Sequence, residues 1–138
     1  VTYYGYGPYE SYSDKHRASW VDRFDTTVDD MFEDYVFPQE NGSHYNCQYA
    51  SVGNLYAKGK KPFSFQASRY SEKELDEKAH NFELVPSDGI YVALDYKQSG
   101  IGSNSCGPRL AEKYQLREEK IEWEISIRFD NKNYVKVQ

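Results

Sequence analysis

Residues 121–129 read Ile-Glu-Trp-Glu-Ile-Ser-Ile-Arg-Phe, which is the clearest structural signal in the chain. Every second residue from Ile121 to Phe129 is apolar, and each residue between them is polar. Successive side chains of a strand point to opposite faces of a sheet, so this alternation predicts a β-strand with one buried face. A sheet built from such strands is therefore expected.

Further strands are predicted at short intervals towards the start of the chain, from alternating or continuous apolar residues. They are Val1–Tyr4, Trp20–Phe24, Tyr45–Ala50, Phe63–Ala67 and Ile90–Tyr96. Tyr45–Ala50 is expected to place Cys47 on the same face as Tyr45 and Tyr49. The continuous apolar run Ile90–Tyr96 is expected to be central in the sheet.

The connections between the strands contain few helical signals. Ser71 followed by Glu74 forms a capping box and predicts a short helix over Glu72–Ala79. A weaker capping signal predicts one helical turn at Val28–Phe32, and the basic run Lys58–Pro62 is read as a turn-rich connection. Short strands with one small helix favour an all-β fold, an antiparallel β-sandwich formed as a single domain by residues 1–138.

The composition agrees with a sheet and narrows the choice of partner. Aromatic residues make up 17% of the 138 residues, and 14 of them are Tyr, which suits half-buried strand surfaces. The net charge of −5 argues against nucleic acid and anionic membranes as partners. The sequence shows no apolar run of membrane-spanning length and no signal peptide, so a cytoplasmic protein is expected. Cys47 and Cys106 lack metal-site spacing, and a disulfide between them stays open.

Two polar-aromatic stretches, Tyr3–Tyr12 and Tyr35–Gly42, carry the candidate chemistry. Gly42 is expected to close the second stretch in a turn that needs a positive φ. Each contains one glutamate, Glu10 and Glu40, and a glycosidase needs two carboxylates about 5–10 Å apart. His44 follows the second stretch and with Glu40 could form the acid–base pair of a sugar epimerase. Residue types alone leave the catalytic set incomplete.

Aromatic rings also suit carbohydrate binding. A free-standing carbohydrate-binding module would need an exposed, coplanar set of rings, for which Tyr3, Tyr6, Tyr9 and Tyr12 are the candidates.

Four stretches occur in an order that resembles one known family. They are Gly5–Lys15, Tyr35–Ser43, Phe63–Ser71 and Ser99–Pro108. Together they resemble the C-terminal region of the large bacterial β-galactosidases of glycoside hydrolase family two, over about Val1–Phe129. The resemblance implies half of a galactose-mutarotase-like super-sandwich, the C-terminal part of that enzyme's last domain.

The same resemblance implies a non-catalytic role. The catalytic glutamates and the magnesium and sodium ligands of the family lie in other domains, mainly a (β/α)₈ barrel. No catalytic residue, metal ligand or cofactor is therefore expected in this chain, and Glu10 and Glu40 become hydrogen-bonding residues of turns. The implied partners are the remaining domains or a large subunit, and the implied substrate is a β-galactoside such as lactose.

The resemblance also singles out one substrate-binding segment. In some family members the loop equivalent to Ser99–Pro108 reaches the active site and offers a Trp to the second sugar. Cys106 stands at or beside that position here, so Ser105, Cys106 and Gly107 are the expected substrate-binding residues. Half of a sandwich should also expose an apolar face, so self-association into a homo-oligomer is expected.

Overall fold

A computed structural model describes residues 1–102 and 109–130. Its six strands form one open antiparallel sheet in the order β2-β1-β3-β4-β5, and β6 also pairs with β4. The strands are β1 (Thr2–Gly7), β2 (Trp20–Asp25), β3 (His44–Val52), β4 (Leu55–Ser68), β5 (Tyr91–Asp95) and β6 (Ile125–Phe129). The expected antiparallel all-β fold of the sandwich kind, with one short helix, is confirmed.

Strand β4 contains the basic run 58–62, so the prediction of a turn-rich connection there is wrong. Its first part, Leu55–Gly59, pairs with β6, and its last part, Ser64–Ser68, pairs with β5 on the same edge. The opposite edge pairs with β3. Lys58 pairs with both β3 and β6, Gly59 pairs with β6, and Lys60 N donates to Glu124 O at 3.2 Å. These pairings hold the start of the run extended, although Gly59 favours a turn.

The faces of β3 also differ from the alternation in the sequence. Cys47 and Ala50 are both fully buried, whereas Tyr49 is half-buried. The pairing with β4 shifts register on both sides of Cys47, and Asn46 has a φ of +58°. Such a bulge breaks the period of two, so residues three apart reach the same core.

Strands β5 and β6, which pair with the edge of β4 opposite β3, are less enclosed than predicted. Among the described strands β5 pairs only with β4, so it is not central. Strand β6 begins at Ile125, halfway along the alternating stretch, and its apolar residues Ile127 and Phe129 are 50% and 62% exposed. For residues 134–137 the sequence leaves two alternatives, a closing strand or a tail, and these residues lie outside the described ranges.

Helix α1 spans Glu72–Glu77 and begins as the capping box predicts. The Ser71 hydroxyl accepts a hydrogen bond from Glu74 N at 3.0 Å. Leu75 is the buried residue of this helix. The described parts of the connections contain three 3₁₀ turns, Asp29–Met31, Asn81–Glu83 and Glu112–Tyr114.

One face of the sheet carries the core. Tyr3, Ala50 and Ala57 form a row across β1, β3 and β4 that continues to Ile127. Met31, from the connection between β2 and β3, joins this core, so that connection covers part of the face. On the other face, Tyr49 stacks on both Tyr4 and Tyr56 with ring centroids 6.3 and 5.9 Å apart.

Candidate functional site

Glu10 joins the two polar-aromatic stretches. Its carboxylate is 4% exposed, and its Oε2 accepts a hydrogen bond from Gly42 N at 2.9 Å. Its Oε1 accepts from the Lys15 ammonium and from the Tyr35 hydroxyl. Both oxygens thus accept hydrogen bonds from donors of the protein, so Glu10 fastens one loop to the other.

The turn at Asn41 and Gly42 is built into the same cluster. Gly42 has a φ of +70°, and an added Cβ would overlap the carbonyl of Met31. Buried Asn41 accepts from Glu33 N at 3.1 Å and donates to Gln39 O at 2.9 Å. The predicted glycine turn is therefore confirmed, with the close approach of Met31 as its second reason.

His44 is 1% exposed and lies in the aromatic core. Its ring centroid is 4.3 Å from that of Tyr3 and 5.6 Å from that of Phe65. Nδ1–H donates to Tyr6 O at 3.1 Å, and burial lowers the pKa of the ring to about 4. His44 is therefore neutral at physiological pH and has no open face for a sugar, which argues against an epimerase pair with Glu40.

Glu40, in contrast, is exposed and borders a hollow of about 480 Å³ beside helix α1. Partial desolvation, together with the carboxylates of Asp95 and Glu72, raises its pKa. Because Glu40 is exposed, water screens part of the repulsion between its carboxylate and those of Asp95 and Glu72. Since Glu10 is enclosed and Glu40 is open, the two do not form a carboxylate pair on either side of a substrate.

The four tyrosines proposed as a sugar platform do not share one surface. Tyr3 and Tyr12 are 1% and 2% exposed, whereas Tyr9 is 59% exposed. Tyr6 packs against Tyr45 with the ring centroids 5.9 Å apart. Half of the set is thus core structure, so these rings do not support a carbohydrate-binding module.

Asp14 anchors the start of the 99–108 loop. Its carboxylate accepts Ile101 N at 3.0 Å and Gly102 N at 2.8 Å. A Cβ at Gly100 would overlap the same carboxyl group, so the loop backbone lies directly against it. Ser105, Cys106 and Gly107 lie outside the described residues, so their expected role stays a prediction.

Gln98 connects this loop to Ser43, which follows the turn held by Glu10. Its side chain accepts from the Ser43 hydroxyl at 3.1 Å and donates to Asp95 at 3.0 Å. Sequence reasoning missed both Asp14 and Gln98. No local pattern could have found them, because Asp14 and Gly102 are 88 positions apart.

A family model described as beta galactosidase small chain matches residues 1–129. The chain belongs to the β-galactosidase small-chain family. That match covers all four stretches on which the resemblance rested, from Gly5 to Pro108.

Several relatives of this chain are named β-galactosidase. The β-galactosidase of Actinobacillus pleuropneumoniae is 50% identical over 130 residues, which are 94% of this chain and 12% of the relative. That of Staphylococcus xylosus is 43% identical over 133 residues, 94% of this chain and 13% of the relative. That of Vibrio cholerae is 33% identical over 129 residues, which are 93% of this chain and 12% of the relative. The chain thus spans about an eighth of the length of the curated relatives it matches.

Within residues 1–102 and 109–130, no group of three or more His, Cys, Asp or Glu side chains is arranged to hold a metal ion. No helix within these ranges has both the length and the apolar character needed to span a bilayer. Cys47 is a free, fully buried thiol whose pKa is raised by burial, so it is unreactive.

Proposed function

We propose that this chain is a non-catalytic part of a β-galactosidase that hydrolyses terminal β-D-galactosides such as lactose. The match to the small-chain family, over about an eighth of the length of each relative, carries the proposal. In this proposal the chain supports the catalytic part and presents the 99–108 loop to the sugar pocket. Its partner is the rest of the β-galactosidase, as other domains or as a large subunit.

An apolar hollow at one end of the sheet supports such a partner. A hollow of about 430 Å³ lies at the end of the sheet where β3 and β4 meet. It is lined by Val1, Val28, Val52, Gly53, Asn54, Leu55, Ile90, Val92 and Phe129. Exposed apolar surface of this kind is common at contacts with other proteins, which supports the rest of the enzyme as the partner.

Further parts of the proposal rest on the resemblance. The catalytic glutamates and the magnesium and sodium ions belong to the other domains, and the enzyme acts in the cytoplasm. Ser105, Cys106 and Gly107 line the subsite for the second sugar, with Cys106 in place of the stacking Trp. The hydrogen bonds from Ile101 and Gly102 to Asp14 support this role, because they give the loop a defined starting point.

The test is hydrolysis of a chromogenic β-galactoside by three samples: this chain, the rest of its β-galactosidase, and the two mixed. Activity that appears only on mixing is the expected result. Hydrolysis by this chain alone would overturn the proposal and return attention to its own carboxylates.

The mixed enzyme also tests the loop. Cys106→Trp should lower the KM for lactose about fivefold, since a stacked aromatic contact contributes roughly 1 kcal/mol. Cys106→Ser is the matched control without a ring and should leave KM near its original value. Equal KM values for both variants would show that the loop does not contact the second sugar.

A further inference from the structure

Four large apolar side chains lie exposed on two neighbouring segments, 36–37 and 82–85. Val36, Phe37, Phe82 and Val85 are 76%, 67%, 81% and 67% exposed. We call these four residues the Phe37–Phe82 surface. None of them lines the hollow at the end of the sheet, so this surface is separate from that hollow.

Hydrogen bonds hold the two segments together. Asn81 N donates to Val36 O at 3.2 Å, and Asn81 Nδ2 donates to the Asp34 carboxylate at 2.9 Å. Val85 N donates to Glu74 of helix α1 at 2.9 Å. These hydrogen bonds fix the two segments that carry the four side chains relative to each other and to helix α1.

The residues on either side of Val36 and Phe37 point inward. Tyr35 donates its hydroxyl hydrogen to buried Glu10, and Pro38 is buried. With both neighbours anchored, Val36 and Phe37 are held outward. Exposed apolar side chains on such an anchored segment are typical of a protein-binding surface.

The edge of the surface is acidic, which bears on what can cover it. Three carboxylates adjoin the four apolar residues along the chain or through hydrogen bonds: Asp34, Glu74 and Glu83. Two of them have a basic neighbour, since Lys78 lies beside Glu74 and His80 lies beside Glu83. Two copies of this chain related by a two-fold axis would bring two such acidic edges together. Like charges placed together cost several kcal/mol at an interface, so a second copy is disfavoured as the occupant.

We propose that the Phe37–Phe82 surface docks on the rest of the β-galactosidase, against an apolar patch bordered by Lys and Arg. This inference rests on the proposed function, because the occupant is the remaining seven-eighths or so of the enzyme. The apolar centre supplies affinity, and the acidic edge selects a basic partner surface. The small chain then contacts its enzyme at two places, this surface and the hollow.

The experiment titrates the rest of the enzyme with this chain and follows both binding and β-galactoside hydrolysis. The test variant is Phe37→Ser with Phe82→Ser, and the matched control is Tyr91→Ser, a 50% exposed aromatic residue on β5. The double variant should bind at least tenfold more weakly, with full activity recovered at saturation. The control should bind like the original chain. Circular dichroism must show the same sheet content in all three chains.

Three other results would overturn the inference. Equal affinity of the double variant and the control would show that the surface is not an interface with the enzyme. Loss of self-association in the double variant, with unchanged affinity for the enzyme, would assign the surface to a second copy. If the unaltered chain neither bound nor activated the enzyme, the proposed function would fail as well.

Discussion

Glu10 shows how one side chain can act as a connector in a polar cluster. In Glu10→Gln, the amide nitrogen can no longer accept from a donor such as Gly42 N, and the charge opposite Lys15 is lost. Loss of these bonds should lower the free energy of unfolding by about 1–3 kcal/mol, as measured by urea denaturation. The exposed Glu119→Gln is the control and should change it by less than about 0.5 kcal/mol. Equal stability of the two variants would contradict the connecting role of Glu10.

His44 should make stability depend on pH. Burial lowers its pKa in the folded chain to about 4, whereas the unfolded value is near 6.5. Below pH 6.5 the unfolded chain binds a proton that the folded chain excludes, so stability falls until about pH 4. The loss reaches roughly 3 kcal/mol.

Urea denaturation at several pH values between 7 and 4 would measure this dependence. His44→Asn, which retains a donor for Tyr6 O, should flatten the slope even if it lowers stability overall. The exposed His80→Asn is the control and should keep the slope of the unaltered chain. The same slope in all three chains would rule out His44 as the cause.

At the scale of elements, the 99–108 loop depends on a residue that follows β1. Asp14→Asn retains the size of the side chain but replaces one acceptor oxygen, so one of the amides of Ile101 and Gly102 loses its partner. Hydrogen exchange at these two amides should become about tenfold faster or more, as expected from a loss of about 1–2 kcal/mol. Asp22→Asn, on the outermost described strand β2, should leave both rates unchanged. Unchanged exchange in Asp14→Asn would show that Asp14 does not anchor the loop.

The elements also show which local signals were sufficient. The Ser71–Glu74 capping box predicted the start of α1, because a cap is formed by residues three positions apart. Alternation predicted strands but misassigned the faces of β3, since the bulge at Asn46 is set by the pairing with β4. Pairing of Lys58 and Gly59 with β6 places the start of the run 58–62, which was predicted to be a turn, within strand β4.

For the whole molecule, the open apolar end of the sheet predicts self-association of the isolated chain. Phe129→Lys places a charge in the hollow there and should shift the chain towards monomer in analytical ultracentrifugation. Phe82→Lys is the control outside the hollow and should leave the oligomeric state unchanged. If the unaltered chain is monomeric, this apolar surface does not drive self-association.

The sequence by itself determined the antiparallel β class, the capped helix and the glycine turn at Gly42. These features depend on the order of neighbouring residues, and the family followed from four stretches in a fixed order. Only the tertiary structure decided that His44 is buried, that β5 lies at an edge of the sheet formed by the described strands and that Asp14 holds Gly102. Each of these facts depends on which distant segments pack together, and no local period or spacing specifies a contact across 88 positions.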